Sequence, residues 1–314
     1  MNAPLLSTLL TAALGDGEEA LGQLTGAEPS DRRDRFLTLL AIYDLHTAPV
    51  PQLGDAVRFQ NHPTVAHLKH RLEAAWLAEL EQVSVLAADT VPALRAYAAK
   101  DRVPEVYRWL ADGATWEQLV EFLALEGGPD AGFDDLVAAC QFGLSGRPKL
   151  ELATNYWDEM GNGSLDGVHT ILHDNLVAAI DMPHIDRREQ PVPALERTAF
   201  GGLLATNRWL QPEMVGALGL IELQAGPRCR TVLQAFDRLG APDAAYPFYA
   251  VHAEVDPMHG RTWLENAIVP LLEEHPAWGP RIVRGASWRS AINATFFEQA
   301  WTQVLDAPVQ VAVG

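Results

Sequence analysis

The segment from His252 to His259 combines residue types and spacing that are typical of a metal site. It reads His-Ala-Glu-Val-Asp-Pro-Met-His, so that Asp256 and His259 follow His252 at offsets of four and seven. Residues at these offsets share one face of an α-helix. Imidazole nitrogen together with carboxylate oxygen suits iron, manganese or zinc, whereas calcium and magnesium prefer oxygen ligands alone. The pattern predicts a transition-metal site, and the alternative is a solvated polar face with a pH-sensitive histidine pair.

The neighbouring sequence indicates that this helix is buried. Aromatic residues precede the motif at 246–249, and Trp263 follows it. Buried histidine and aspartate side chains need partners, which favours the metal site. Glu254 lies on a different face of the helix. Pro257 removes one backbone hydrogen bond, so we expect either a kink or a new helix that Asp256 caps and Pro257 begins.

A second group of candidate ligands lies in the sequence Asn-Tyr-Trp-Asp-Glu-Met-Gly-Asn-Gly, which covers residues 155–163. Glycines end the predicted helix here, so Asp158 and Glu159 lie near its C-terminus. Carboxylates at this position oppose the helix macrodipole and call for a nearby cation, which a metal would supply. The alternative is an exposed Asp158 and a Glu159 with hydrogen-bonding partners in the protein.

Three further residues are candidate ligands. Glu126 closes an apolar run just before Gly127, which repeats the setting of Glu159. His169 and His173 share a helix face at offset four, and either could bind a metal. The alternative for each histidine is a structural role on a half-exposed helix.

The elements that must position these residues read as helices. Apolar residues recur at helical spacing between Gly and Pro breaks, and alternating β-branched runs are few, so we predict an all-α fold. We expect an N-terminal helical region over residues 1–100 and a larger helical domain over residues 101–314. The predicted helices cover residues 64–82, 115–126, 133–144, 148–160, 165–180, 194–208, 212–223, 228–239, 246–273 and 287–304.

Composition narrows the class of protein. The net charge of -18 disfavours nucleic acid and anionic membranes as partners, because both attract cationic surfaces. Two cysteines cannot form a disulfide framework, and the N-terminus lacks the basic start of a signal peptide. No apolar run approaches the roughly 20 residues that cross a bilayer. We therefore expect a cytoplasmic protein without a membrane span.

The candidate residues taken together resemble a known superfamily. Glu126, the 155–163 segment with Glu159, His169 ten residues later, and the His-x-x-x-Asp-x-x-His pattern at 252–259 are similar to motifs of the heme-oxygenase-like diiron oxidases and oxygenases. The resemblance covers roughly residues 101–273. The long interval between His169 and His252 is most similar to the N-oxygenase domain of the streptozotocin pathway.

This resemblance implies a heme-oxygenase-like helical bundle, here with an N-terminal helical extension. It implies two irons per chain, cycling between Fe(II) and Fe(III), with O2 as co-substrate. Glu159 would be the catalytic carboxylate that moves to bind or bridge metal. His173 matches no ligand position, and Glu121 is the alternative to Glu126 if the helix register shifts. The implied metal ligands are Glu126, Glu159, His169, His252, Asp256 and His259.

The function expected from this reasoning is an iron-dependent oxidase or oxygenase. Its reaction would be N-hydroxylation, desaturation or oxidative C–C cleavage of an amino-acid-like or fatty small molecule. An external electron donor and a homodimer are compatible with this expectation. Two alternatives stay open, a non-catalytic iron-binding helical bundle and a helical interaction protein with a degenerate metal site.

Overall fold

The computed structural model describes residues 4–87, 89–127 and 132–306, with side chains described to residue 303. Every regular element in these ranges is a helix, and one isolated bridge joins Met160 to Val168. The prediction of an all-α fold is confirmed. Among the described helices, none combines the length and apolarity that crossing a membrane would require.

The chain forms two compact units. The first unit contains residues 1–84 and 186–208, and the second contains residues 85–185 and 209–314. The predicted division into domains at residue 100 stays a prediction. With helices numbered along the chain, those of the first unit are α1 (Leu6–Asp16), α2 (Glu18–Gly22), α3 (Arg32–Thr47), α4 (Val50–Leu53), α5 (Pro63–Gln82) and α12 (Val192–Ala205).

A buried carboxylate on α3 holds the start of α1 in the first unit. Asp34 accepts hydrogen bonds from the backbone N–H groups of Leu6, Ser7 and Ser30 and from Ser7 Oγ, at 2.7 to 3.0 Å. Burial alone would raise the pKa of Asp34, but these hydrogen bonds outweigh it and hold the pKa below 3.8. Asp34 thus satisfies N–H groups at a helix start that no intrahelical carbonyl can reach.

The second unit is built around the long helix α13. Helix α13 packs against α14, α16 and α7, and its buried residues are mostly apolar but include Glu213 and Glu222. The helices of this unit are α6 (Thr90–Lys100), α7 (Glu105–Asp112), α8 (Trp116–Glu126), α9 (Phe133–Cys140), α10 (Gly146–Glu159), α11 (His169–Ala179), α13 (Gln211–Leu239), α14 (Tyr246–Thr262), α15 (Val269–Glu274) and α16 (Gly279–Asp306).

Several predicted helix boundaries in this unit were wrong, most clearly those at Pro227 and after Thr262. The predicted helices 212–223 and 228–239 are one helix, α13, which runs through Pro227. Helix α14 likewise continues through Pro257, but the predicted helix 246–273 is interrupted by a π-helical segment, Trp263–Ile268. A proline removes one backbone hydrogen bond, and packing against neighbouring helices offsets that loss. Short π-helical turns within α-helices often occur at functional sites.

Candidate metal centre

Helix α14 presents its three candidate ligands toward the interior as their spacing predicts. Asp256 and His259 are buried and His252 is half-buried, whereas Glu254 is exposed. Because Pro257 does not end the helix, the three residues keep the offsets of a single α-helix. They therefore stay on one side of α14.

A tight connection between α10 and α11 brings Glu159 and His169 together. Glu159 is the last residue of α10 and His169 the first of α11, and the bridge between Met160 and Val168 joins the two ends. Gly161 has a φ of +59°, and a Cβ there would lie 2.3 Å from the carbonyl carbon of Gly167. Only glycine permits this approach. As a result, His169 Nδ1 lies 2.7 Å from Glu159 Oε2.

A second close approach brings α13 to α14 at Glu222. A Cβ on Gly260 would lie 2.9 Å from the carbonyl oxygen of Glu222, so glycine lets the two backbones meet next to His259. His259 Nδ1 then lies 3.6 Å from Glu222 Oε2 and 3.9 Å from Asp256 Oδ1. Glu222 is itself buried.

These contacts form two groups of possible metal ligands, and the groups share one carboxylate. The first group contains Glu159, His169 and His252, and the second contains Glu159, Glu222 and His259. In each group one nitrogen or oxygen atom per residue lies within 4.8 Å of the others. The chain thus places two adjacent sets of mixed nitrogen and oxygen donors on either side of Glu159.

The two histidines of α14 use different ring nitrogens for hydrogen bonding, Nδ1 in His252 and Nε2 in His259. His252 Nδ1 lies 2.6 Å from the carbonyl oxygen of Phe248, which can only accept, so Nδ1 carries a proton and Nε2 is left with its lone pair. For His259, Nε2 lies 2.9 Å from Asp158 Oδ2, which leaves Nδ1 toward Glu222. Metal-binding histidines commonly donate their other N–H to such a carbonyl or carboxylate.

The residues present fit a metal ion. The Nδ1 atoms of His169 and His259 are buried and have no hydrogen-bond partner of suitable geometry among the described residues. Ligand atoms about 2.1 Å from one ion lie roughly 3 to 4 Å from each other, which matches the distances around His259 Nδ1. Imidazole and carboxylate donors suit iron, manganese and zinc. An ion between these atoms would satisfy polar groups that otherwise carry a desolvation cost.

Electrostatics at the site also favour a cation. Burial raises the pKa of Glu222 above its ordinary value of 4.5, and the charge of Glu159 acts in the same direction. Burial lowers the pKa of His259, but its contacts with Glu222 and Asp158 and the negative charges of Glu222 and Asp256 outweigh it and raise the pKa to about 10. The carboxylates therefore attract positive charge to this position, either a proton or a metal ion.

Two of the six implied ligands lie outside both groups. Asp256 is buried beside His259 at the 3.9 Å distance given above. Glu126 is buried at the end of α8, where it accepts a hydrogen bond from the hydroxyl of Tyr107. Of the alternatives, Glu121 accepts a hydrogen bond from Gln303 Nε2, and His173 packs edge-on against the ring of Phe248. Neither alternative belongs to a group.

Glu222 is the site residue that the sequence analysis missed. It lies in the apolar stretch Leu-Gly-Leu-Ile-Glu-Leu of α13. An acid inside such a run is buried when the helix is buried, and a buried acid needs a partner. The acid in this apolar run therefore indicates a buried carboxylate, but the sequence does not show which residue or ion pairs with it.

A family model matches the part of the chain that contains both groups. A model of the family described as iron-containing redox enzymes matches residues 120–294, more than half of the chain. The match includes all residues of both groups, together with Glu126 and Asp256. No curated protein matches the chain significantly. The chain belongs to the iron-containing redox enzyme family, within the heme-oxygenase-like superfamily.

Proposed function

We propose that this chain is a non-heme diiron oxidase or oxygenase that uses O2 to oxidise a small molecule. The observation that carries the proposal is the position of Glu159, whose carboxylate belongs to both buried ligand groups. A carboxylate shared by two donor sets is suited to hold two metal ions close together. Membership in a family of iron-containing redox enzymes makes iron the metal of choice.

The ligand assignment follows the two groups. Glu159, His169 and His252 would hold one iron, and Glu159, Glu222 and His259 would hold the other. The buried residues Glu126 and Asp256 are proposed to complete the set. Two irons per chain, cycling between Fe(II) and Fe(III), would exchange electrons with O2, and an external donor would return the protein to the Fe(II) state.

The chain itself contributes position, charge and exclusion of water. Glu159 ends α10 and is followed at once by the 3-10 turn Gly161–Gly163, so its carboxylate lies where regular helix stops. A ligand at a helix end has more freedom to adjust than one in the middle of a helix. We propose that Glu159 changes its contacts during the reaction, whereas His169 and His259, buried on either side, keep theirs.

The substrate is proposed to be a small amino-acid-like or fatty molecule, and the reaction N-hydroxylation, desaturation or oxidative C–C cleavage. A cytoplasmic setting with available Fe(II) suits this chemistry. Nucleic acid and membrane are not proposed as partners, because the chain carries a net charge of -18. A homodimer is compatible with the proposal and plays no part in it.

Anaerobic titration with Fe(II), followed by exposure to O2, tests the proposal. We expect about two Fe(II) per chain at neutral pH and a change in absorbance on adding O2. A screen of amines, amino acids and fatty acids for stimulated O2 consumption then identifies the substrate class. Absence of iron binding defeats the proposal. Iron binding with oxidation of the metal but without substrate-stimulated O2 consumption favours a storage role.

A further inference from the structure

The C-terminal end of α10 presents three polar side chains to the ligand groups, and only one of them belongs to a group. Glu159 is shared by both groups. Asn155, one turn earlier and buried, donates from Nδ2 to Glu222 Oε1 at 2.6 Å. Asp158 accepts from His259 Nε2 through Oδ2 at 2.9 Å. Asn155 and Asp158 therefore each contact a ligand that comes from another helix.

The contact with Asp158 leaves Nδ1 as the nitrogen of His259 that faces Glu222. A carboxylate can only accept, so the proton stays on Nε2 and the lone pair lies on Nδ1 when a metal displaces the second proton. His252, on the same helix, is held the opposite way by the carbonyl of Phe248. The two histidines belong to different groups. The hydrogen bond to Phe248 leaves Nε2 as the nitrogen of His252 that can bind a metal, and the contact with Asp158 leaves Nδ1 of His259.

Asn155 has the corresponding effect on Glu222. Its amide donates to Oε1, which leaves Oε2 as the oxygen that lies 3.6 Å from His259 Nδ1. Asn155 is 1% exposed, so solvent does not compete for this contact. The hydrogen bond limits the rotation of the Glu222 carboxylate and keeps one oxygen toward the second group.

We propose that Asp158 and Asn155 are positioning residues for the second group: Asp158 fixes His259 as an Nδ1 ligand, and Asn155 fixes Glu222 as an Oε2 ligand. The inference rests on the proposed function, because it assumes that this group binds metal. A purely structural Asp158–His259 ion pair leaves one fact unexplained. His259 Nδ1 is buried and makes no hydrogen bond of good geometry among the described residues, although Glu222 Oε2 lies 3.6 Å away and three acids surround the ring.

Zn(II) tests the positioning roles without oxygen chemistry. The protein labelled with 15N-histidine is loaded with Zn(II), and long-range 1H–15N spectra report which ring nitrogen of each histidine binds metal. In the wild type we expect His259 to bind through Nδ1 and His252 through Nε2. In Asp158→Ala we expect the His259 pattern to be lost and the zinc affinity of one site to fall about 10- to 100-fold.

Three more variants separate positioning from general damage. Asp158→Asn retains an oxygen that can accept from Nε2, so the Nδ1-bound pattern should return with intermediate affinity. Asn155→Leu removes the donor at similar volume, and it should weaken one zinc site while His259 keeps its pattern. Glu151→Ala is the matched control, because Glu151 lies on the same helix and accepts from Asn266 instead. This control should behave as the wild type.

The outcomes distinguish failure of this inference from failure of the proposed function. If the wild type binds two metal ions but His259 uses Nε2, or if Asp158→Ala keeps the wild-type pattern and affinity, Asp158 is not a positioning residue and the diiron proposal stands. Unchanged zinc affinity in Asn155→Leu removes Asn155 from the inference. If the wild type binds neither zinc nor iron, both proposals are overturned.

Discussion

Gly260 of α14 packs directly on the carbonyl of Glu222 in α13, with space for a hydrogen atom but not for a methyl group. A Cβ at this position would lie 2.9 Å from the Glu222 oxygen, so Gly260→Ala must push two helix backbones apart. We expect the free energy of unfolding to fall by about 1 to 3 kcal/mol. The iron affinity of the group with Glu222 and His259 should also fall. Urea denaturation and Fe(II) titration measure the two effects.

Gly15→Ala is the control for this prediction. Gly15 also lies in a helix, but nothing would contact a Cβ there within 4 Å. Alanine in a helix interior is favoured over glycine by up to about 1 kcal/mol, so this variant should be as stable as the wild type or slightly more stable. If Gly260→Ala also kept both its stability and its iron, the close approach of the helices would not matter for the site.

On the proposed function, replacing the shared carboxylate should weaken both iron sites, whereas replacing a carboxylate of one group should weaken one. We expect Glu159→Gln to bind clearly less than one Fe(II) per chain, and Glu222→Gln to bind about one. Anaerobic titration, with Mössbauer spectra of 57Fe-loaded protein, counts the ions and distinguishes their environments. Glu121→Gln is the matched control, because Glu121 bonds to Gln303. Equal losses in Glu159→Gln and Glu222→Gln would contradict the shared-ligand assignment.

Replacing the two histidines of α11 should have different effects on iron binding, although these residues lie only one turn apart. His169 Nδ1 lies 2.7 Å from Glu159, whereas His173 packs on Phe248 and belongs to neither ligand group. We expect His169→Ala to lose one iron and the O2-dependent absorbance change, and His173→Ala to keep both. Circular dichroism of each variant checks that the helices remain. If His173→Ala lost iron and His169→Ala kept it, the ligand of α11 would be His173 and not His169.

Asp34 should make the stability of the first unit depend on pH. Its pKa is lower in the folded chain than in the unfolded chain, so its contribution is complete above the unfolded value and disappears as the pH falls through the folded value. Asp34→Asn should therefore be less stable than the wild type by about 1 to 3 kcal/mol at pH 7. The difference should persist at pH 5 and shrink toward pH 3, below the ordinary Asp pKa of 3.8.

Urea denaturation at these three pH values measures the difference between Asp34→Asn and the wild type. Asp16→Asn serves as the control, because Asp16 is exposed at the end of α1. A constant difference between pH 7 and pH 3 for Asp34→Asn would show that lost packing, and not lost charge, destabilises the variant.

The sequence predicts local features of this protein well. Helical periodicity and glycine breaks predict the all-α fold, and the offsets within residues 252–259 predict that His252, Asp256 and His259 share a face. These patterns depend on residues within a few turns of one another. Prolines mislead for the same reason, because local rules end a helix at Pro227 while packing between α13 and its neighbours keeps it continuous.

The sequence does not predict which helices meet. Glu222 enters the site because α13 and α14 approach at Gly260, and no spacing within α13 contains that information. The sequence does not predict the roles of Asn155 and Asp158 either, because each contacts a residue from a different helix. Side-chain direction across a helix interface is decided by tertiary packing, which a periodic pattern read along one chain segment does not contain.

The bridge between Met160 and Val168 brings two ligands of the first group together while the protein folds. By joining the end of α10 to the start of α11, it holds Glu159 and His169 as a chelating pair before any ion arrives. The entropy of bringing these two ligands together is lost during folding and not during metal binding. Gly161→Ala, which must disturb the contact of Gly161 with Gly167, should therefore lower the iron affinity of the group that contains His169 in an anaerobic Fe(II) titration.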